Sequence, residues 1–241
     1  TRVSLPRFVV QTPASLASSF WAFPLVGACV GVSGAVVLMF AELAGLGSFT
    51  AVVLALTAMV FATGALHEDG LADFCDGLGG GKDRAQKLEI MRDSRIGTFG
   101  ALALMLCLAL QGLLFVEVIA SAGLFAAAAV LVAVSAMARL AIAVPLYLLK
   151  SARQEGLAQS LGKPSLGCLA VAVVLAMVIS VVGVGWGAAW ALFIGAGMGG
   201  LSVALMAQRH LDGYTGDVFG ATVVVATITA LTVYILVVLV L

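Results

Sequence analysis

Four long apolar blocks, separated by three polar stretches, set the plan of this chain. Residues 19–66 are long enough for two membrane-crossing helices, with a break near Glu42 and the Gly45-Leu46-Gly47-Ser48 turn. Residues 98–149 hold two more, broken near Glu117 and Gly123, and residues 165–207 another two, broken at Gly183-Val184-Gly185-Trp186-Gly187. Residues 221–241 make one. A crossing helix needs roughly 20 mainly apolar residues. The pattern therefore predicts an all-α polytopic membrane protein of about seven spans. The apolar runs are continuous rather than alternating, which excludes a transmembrane barrel. Residues 1–241 form one membrane-embedded unit, with polar loops at 67–97, 150–164 and 208–220. Glycines at spacing four, Gly27/Gly31, Gly195/Gly199 and Gly216/Gly220, predict close helix packing.

Composition agrees: 63% of the 241 residues are hydrophobic, 10% are charged, and mean hydropathy is +1.19. Lys and Arg number 12 and so do Asp and Glu, so no overall basic surface exists to drive nucleic-acid binding. The charges nevertheless gather on one side. With seven spans, every Lys and Arg except Arg139 falls on the side of the N-terminus. The positive-inside rule makes that side cytoplasmic. Every acid except Glu42 and Glu117 lies there too. Cys29, Cys75, Cys107 and Cys168 lack metal-like spacing and read as small apolar residues. The start of the chain has no signal-peptide pattern and no initiator Met, so residue 1 reads as a processing boundary.

The densest chemistry lies in residues 67–100. Asp69, Asp73 and Asp76 are spaced i, i+4 and i+7, which on a helix places three carboxylates on one face. Like charges so placed repel unless a cation lies between them, and Mg²⁺ bridges such carboxylates to substrate phosphates. Gly77, Gly79, Gly80 and Gly81 follow. They fit neither phosphate-binding glycine motif, because Lys82 and Asp83 occupy the wrong positions, and they read as a turn ending the acidic helix or as backbone close to a phosphate. Residues 83–95 predict a short helix capped by Asp83, with Lys87, Arg92 and Arg95 as phosphate donors. A second polar cluster, 210–217, ends on Asp217 just before the last span. Arg139 is the one cation inside an apolar run, where it either reaches an anionic substrate or extends to the interface.

Two function classes compete on these residues. One is a membrane transferase acting on a phosphorylated substrate through Mg²⁺, of which prenyl and phosphatidyl-alcohol transfer are further types. The other is a cation transporter or channel using the acids as an ion path. Acids crowded at one face rather than the midplane favour the enzyme.

HEDGLADFCDG (67–77) and LEIMRDSRIGTFG (88–100), with FPLVG (23–27), EGL (155–157) and TGDVFGA (215–221), resemble the cobalamin synthase, or adenosylcobinamide-GDP ribazoletransferase, family over nearly the whole chain. Glu68 stands where the family often has an apolar residue, and the N-terminus is shorter than the family's usual start. The resemblance implies transfer of the adenosylcobinamide-phosphate group from adenosylcobinamide-GDP to α-ribazole or its 5′-phosphate, with release of GMP. On that basis Asp69, Asp73 and Asp76, with Asp217 and Glu68, are the expected Mg²⁺ ligands. Arg92, Arg95, Arg139 and Lys82 are the expected substrate-binding residues, and Asp93 or His67 the expected base. The implied partners are these small molecules and membrane lipid, with self-association left open. The implied location is the inner membrane, with the N-terminus and site loops cytoplasmic.

Overall fold

A computed structural model describes residues 17–153 and 161–239. Arg2, Arg7 and the 155–157 motif lie outside the described residues. Among the described residues, ten α-helices follow in order: α1 (Phe23–Leu43), α2 (Ser48–Thr63), α3 (Leu66–Gly80), α4 (Arg84–Ile90), α5 (Thr98–Ala122), α6 (Leu124–Leu140), α7 (Ala143–Leu148), α8 (Leu166–Val184), α9 (Trp186–Leu211) and α10 (Gly216–Tyr234). Among the described residues, extended pairing is limited to one isolated bridge between Ser151 and Tyr214.

Six helical segments among the described residues are long and apolar enough to cross a bilayer, with α6 and α7 together making one of them. The expected second span is different. Helix α2 has 16 residues, about 24 Å at 1.5 Å per residue, against a hydrocarbon thickness of about 30 Å. The chain then bends by 89° into α3. The hinge is Gly64 followed by Ala65, both in the left-handed region at φ 69° and 59°. Two such residues in succession cannot continue a right-handed helix. The count reaches seven only if α2 and α3 are taken as one broken span.

Helix α6 is the axis of the bundle. Buried residues make up 78% of an 18-residue apolar stretch of the α6–α7 span, against 17% of the same length in α5 and in α8. It packs on α1 and α8, while α9 packs on α10 and α10 on α3. Outward-facing Phe40, Phe61, Phe125 and Val182 are 70–81% exposed. Such side chains in one chain make sense against lipid, not water. Trp186 and Trp190 stack edge to face at the start of α9, as aromatic residues do at a membrane interface.

The spaced glycines let helices touch. A Cβ on Gly27 or Gly31 would lie within 2.9 Å of the α6 backbone, and one on Gly195 or Gly199 within 2.7 Å of the α10 backbone. Only half of the third pair does this: Gly220 meets α3, whereas Gly216 faces open space. The run Gly77–Gly81, read as a turn, is helical through Gly80. Gly77 lies against Met91 and Gly79 against the Phe99 ring, so their missing side chains let the chain that follows fold back on α3. Asp83 caps α4 by accepting from the Gln86 amide at 2.9 Å, but the helix ends at Ile90 rather than reaching residue 95.

Candidate active site

The site begins with a contact between two backbones. Helix α3 crosses the start of α10 at Gly70 and Gly220, where a Cβ on Gly70 would be 3.0 Å from the Asp217 carbonyl oxygen and 3.1 Å from the Gly220 Cα. That approach brings Asp69 beside Asp217, although 148 positions separate them in the chain. Both line a cavity of about 450 Å³ together with His67 and Arg139, and apolar Phe23, Val26 and Phe219 complete much of its wall.

Arg139 reaches this cavity from the C-terminal end of α6. It is 7% exposed, and its guanidinium donates to the Ser135 carbonyl at 3.2 Å. Gly27 makes room for its stem, since a Cβ there would lie 2.9 Å from the Arg139 Cδ. Carboxylates and a guanidinium thus share one apolar-walled cavity, where weak screening strengthens their pull on a charged ligand.

Asp73, one turn further along α3, is close enough for the charges of Asp69, Asp217 and Asp76 to act on it. Asp217 accepts from the Thr215 hydroxyl at 3.2 Å and pairs with Arg153 at 3.3 Å, both partners being one-fifth exposed. Among the described residues, no three His, Cys, Asp or Glu side chains converge as a ready-made metal cage. That donor set fits Mg²⁺ better than a caged metal, because Mg²⁺ keeps several waters and takes one or two carboxylates plus substrate phosphates.

Matching of the cobalamin-5-phosphate synthase family model extends over residues 1–235. The chain belongs to the cobalamin-5-phosphate synthase family. A relative from Xanthobacter autotrophicus, named adenosylcobinamide-GDP ribazoletransferase, is 47% identical over 215 residues, covering 88% of this chain and 81% of that protein. Relatives of the same name from Mesorhizobium japonicum and Bradyrhizobium diazoefficiens are each 40% identical, covering 96% and 86% of this chain and 87% and 78% of their own lengths. No solved structure matches the chain. Membership in this family favours the transferase reading over the transporter reading.

Within this cobalamin-5-phosphate synthase fold, the expected site residues divide into two groups. His67, Asp69, Arg139 and Asp217 meet at the main cavity, with Asp73 beside them. Asp76 is turned away. Its two carboxylate oxygens accept from the amides of Gly97 at 2.7 Å and Gly100 at 2.8 Å, which caps the start of α5. Glycine is required at both positions, because a Cβ would collide with that carboxylate. Asp76→Asn puts an NH₂ donor against an amide donor and leaves a buried N–H unmet. We expect it to lower unfolding stability by about 1–3 kcal/mol, measured by thermal or denaturant unfolding in detergent.

Glu68 lines a separate small cavity behind α3. Lys82, Arg92, Asp93 and Arg95 lie exposed on the stretch between α3 and α5 and do not line either cavity. Arg95 grips Asp93 at 2.7 Å, and its hydrogen bonds hold that carboxyl down at about 2. Lys87 is spent on the Gly81 carbonyl and is buried there.

Two arginines that make long-range contacts around the site were not singled out from the sequence. Arg153 pairs with Asp217, and Arg84 ties the polar loops together by donating to Leu211 O at 2.7 Å and Ala152 O at 3.0 Å. The strap between residues 150 and 152 is further held by Tyr214, through bonds of 2.8 Å on either side. Their only sequence signal was basic character in polar loops. We expect Arg84→Met to loosen this strap, raising amide exchange at Ala152 and Tyr214 while leaving the spans protected, as hydrogen exchange would show.

Proposed function

We infer that this chain is a membrane-embedded adenosylcobinamide-GDP ribazoletransferase that moves the adenosylcobinamide-phosphate group onto α-ribazole or α-ribazole 5′-phosphate and releases GMP. The observation that carries this reading is the meeting of Asp69, Asp217 and Arg139 at one apolar-walled cavity in a chain of this family. The relatives' shared name supplies the substrates.

In the reaction, a ribose hydroxyl oxygen of the ribazole attacks the phosphorus joined to cobinamide. The P–O bond to GMP breaks, GMP departs with that oxygen, and the hydroxyl proton passes to a base. Catalysis of this kind is mostly positioning and charge neutralisation. Arg139 offers a planar fork to the diphosphate from the cavity wall. Of the two expected bases, His67 is the one that lines the cavity. Asp93 is less suited, because it lies exposed outside the cavity and is paired with Arg95. Asp69, Asp73 and Asp217 would hold Mg²⁺, which when bound supplies positive charge to the diphosphate oxygens. Arg153 holds Asp217 in place from the loop side. Lys82, Arg92 and Arg95 form an outer, exposed basic set that draws the anionic substrate towards the cavity. A cavity of this volume suits a nucleoside-sized group.

GMP release from adenosylcobinamide-GDP and α-ribazole by the purified chain tests the reading. We expect turnover that ceases in excess chelator and returns with Mg²⁺. Absence of GMP with a folded preparation would reject the activity, and full turnover in chelator would reject the metal.

The concentration of basic residues at the N-terminal side supports a cytoplasmic site in the inner membrane. On that arrangement a reporter fused after Leu241 reads out on the opposite, external side, and a cytoplasmic signal there would reverse the topology.

A further inference from the structure

Behind the main cavity lies a second, of about 30 Å³, lined by polar Thr63, His67, Glu68, Gln111, Arg139 and Thr227 among apolar neighbours. Thr63, His67 and Arg139 belong to both cavities, so they form the wall between them. Glu68 belongs only to the rear one. Successive helical residues are turned by 100°, so the α3 face that carries Asp69 and Asp73 is not the face that carries Glu68. The Glu68 Oε2 atom is buried and has no hydrogen-bond partner in the protein. Among the described residues lining this cavity, Arg139 is the one cation, and the charge of Glu68 acts on it.

We propose that Glu68 is the intramembrane counter-ion of Arg139, joined to it through ordered water in the rear cavity, and that it positions the guanidinium for the substrate diphosphate rather than binding metal. A solitary buried carboxylate costs several kcal/mol and so does a solitary guanidinium. Facing each other across a small polar space, each relieves the other. The two groups do not form a direct ion pair within 4.0 Å, and the cavity is large enough for water. The walls suit that water. The Thr63 and Thr227 hydroxyls donate to carbonyls of their own helices at 3.1 and 2.8 Å, which leaves their lone pairs free to accept. Gln111 can both donate and accept. Water in such a site makes two to four hydrogen bonds and is costly to remove. Seen from the main cavity, Arg139 is then held from behind by Glu68 and from the side by the Ser135 carbonyl, with its remaining donors turned towards the substrate.

The functional arm of this proposal rests on the ribazoletransferase reading, whereas its structural arm does not. Glu68→Gln, Arg139→Gln and the double variant are prepared in the full chain and compared with the parent in one detergent. In thermal unfolding, each single variant should lose stability and the double variant should recover part of it. In turnover, Glu68→Gln should raise KM for adenosylcobinamide-GDP about tenfold, with the Mg²⁺ concentration for half-maximal activity unchanged. Additive stability losses would overturn the pair. A shift in the Mg²⁺ requirement larger than the shift in KM would make Glu68 a metal ligand and overturn its positioning role. If Glu68→Gln alone yields no folded protein, recovery of folded protein in the double variant supports the pair, and failure of both overturns it. If the parent itself releases no GMP, the transferase reading fails, and the unfolding comparison still decides whether Glu68 and Arg139 are coupled.

Discussion

Asp73→Asn should lower GMP release about a hundredfold while leaving the protein as stable as the parent or slightly more so. Among the described residues Asp73 has no hydrogen bond that holds the fold, unlike Asp76, and the charges of Asp69, Asp217 and Asp76 act on it. Neutralising it removes repulsion, so nothing in the fold is lost. On the proposed reading, what is lost is a charged ligand for the Mg²⁺ that would neutralise the diphosphate. A deficit of about 3 kcal/mol at the transition state corresponds to roughly a hundredfold in rate, which is within the several kcal/mol that a bound metal supplies. Turnover and melting temperature are read on the same preparation. Normal turnover at limiting Mg²⁺ would remove Asp73 from the site, and a large fall in melting temperature would make it a structural residue.

Gly70→Val should abolish activity and also destabilise the protein, by about 1–3 kcal/mol or more. Its Cβ would press on the backbone of Asp217 and Gly220, and backbone cannot step aside as a flexible side chain can. Relief requires α3 and α10 to separate, which moves Asp69 away from Asp217. Gly197→Ala, on α9, where an added Cβ meets nothing within 4 Å and which lines neither cavity, should melt and turn over like the parent. Equal behaviour of the two variants, in either direction, would show that the crossing does not assemble the site. The opposite stability responses of Asp73→Asn and Gly70→Val separate a residue that acts in the site from one that builds it.

Several residues of the candidate site were legible in the sequence because membranes impose a severe rule. Charge inside hydrocarbon is expensive, so a cation such as Arg139 in an apolar run stands out. The same rule kept Asp69, Asp73 and Asp217 outside the long apolar runs. The i, i+4 spacing of Asp69 and Asp73 put both on one face of a helix, and the structure keeps them there. Helix positions were legible too, since continuous apolar length is nearly sufficient to define a span. The family motifs at 67–77 and 215–221 could be read without knowing that α3 and the start of α10 touch.

What the chain alone could not decide depended on partners distant in sequence. Asp76 has the same spacing and charge as Asp73, yet the amides of Gly97 and Gly100 take both its oxygens. No periodicity distinguishes a carboxylate facing a cavity from one capping another helix. The hinge at Gly64 and Ala65 was hidden because α2 reads as part of a continuous apolar block, and only two successive left-handed residues turn it by 89°. Arg153 looked like any basic loop residue until the strap to Tyr214 carried it to Asp217. Hydrophobic length and charge cost are local quantities that a sequence states directly. Which face of a helix meets which neighbour is decided by packing of the whole bundle, here by glycines that allow α1 onto α6 and α3 onto α10.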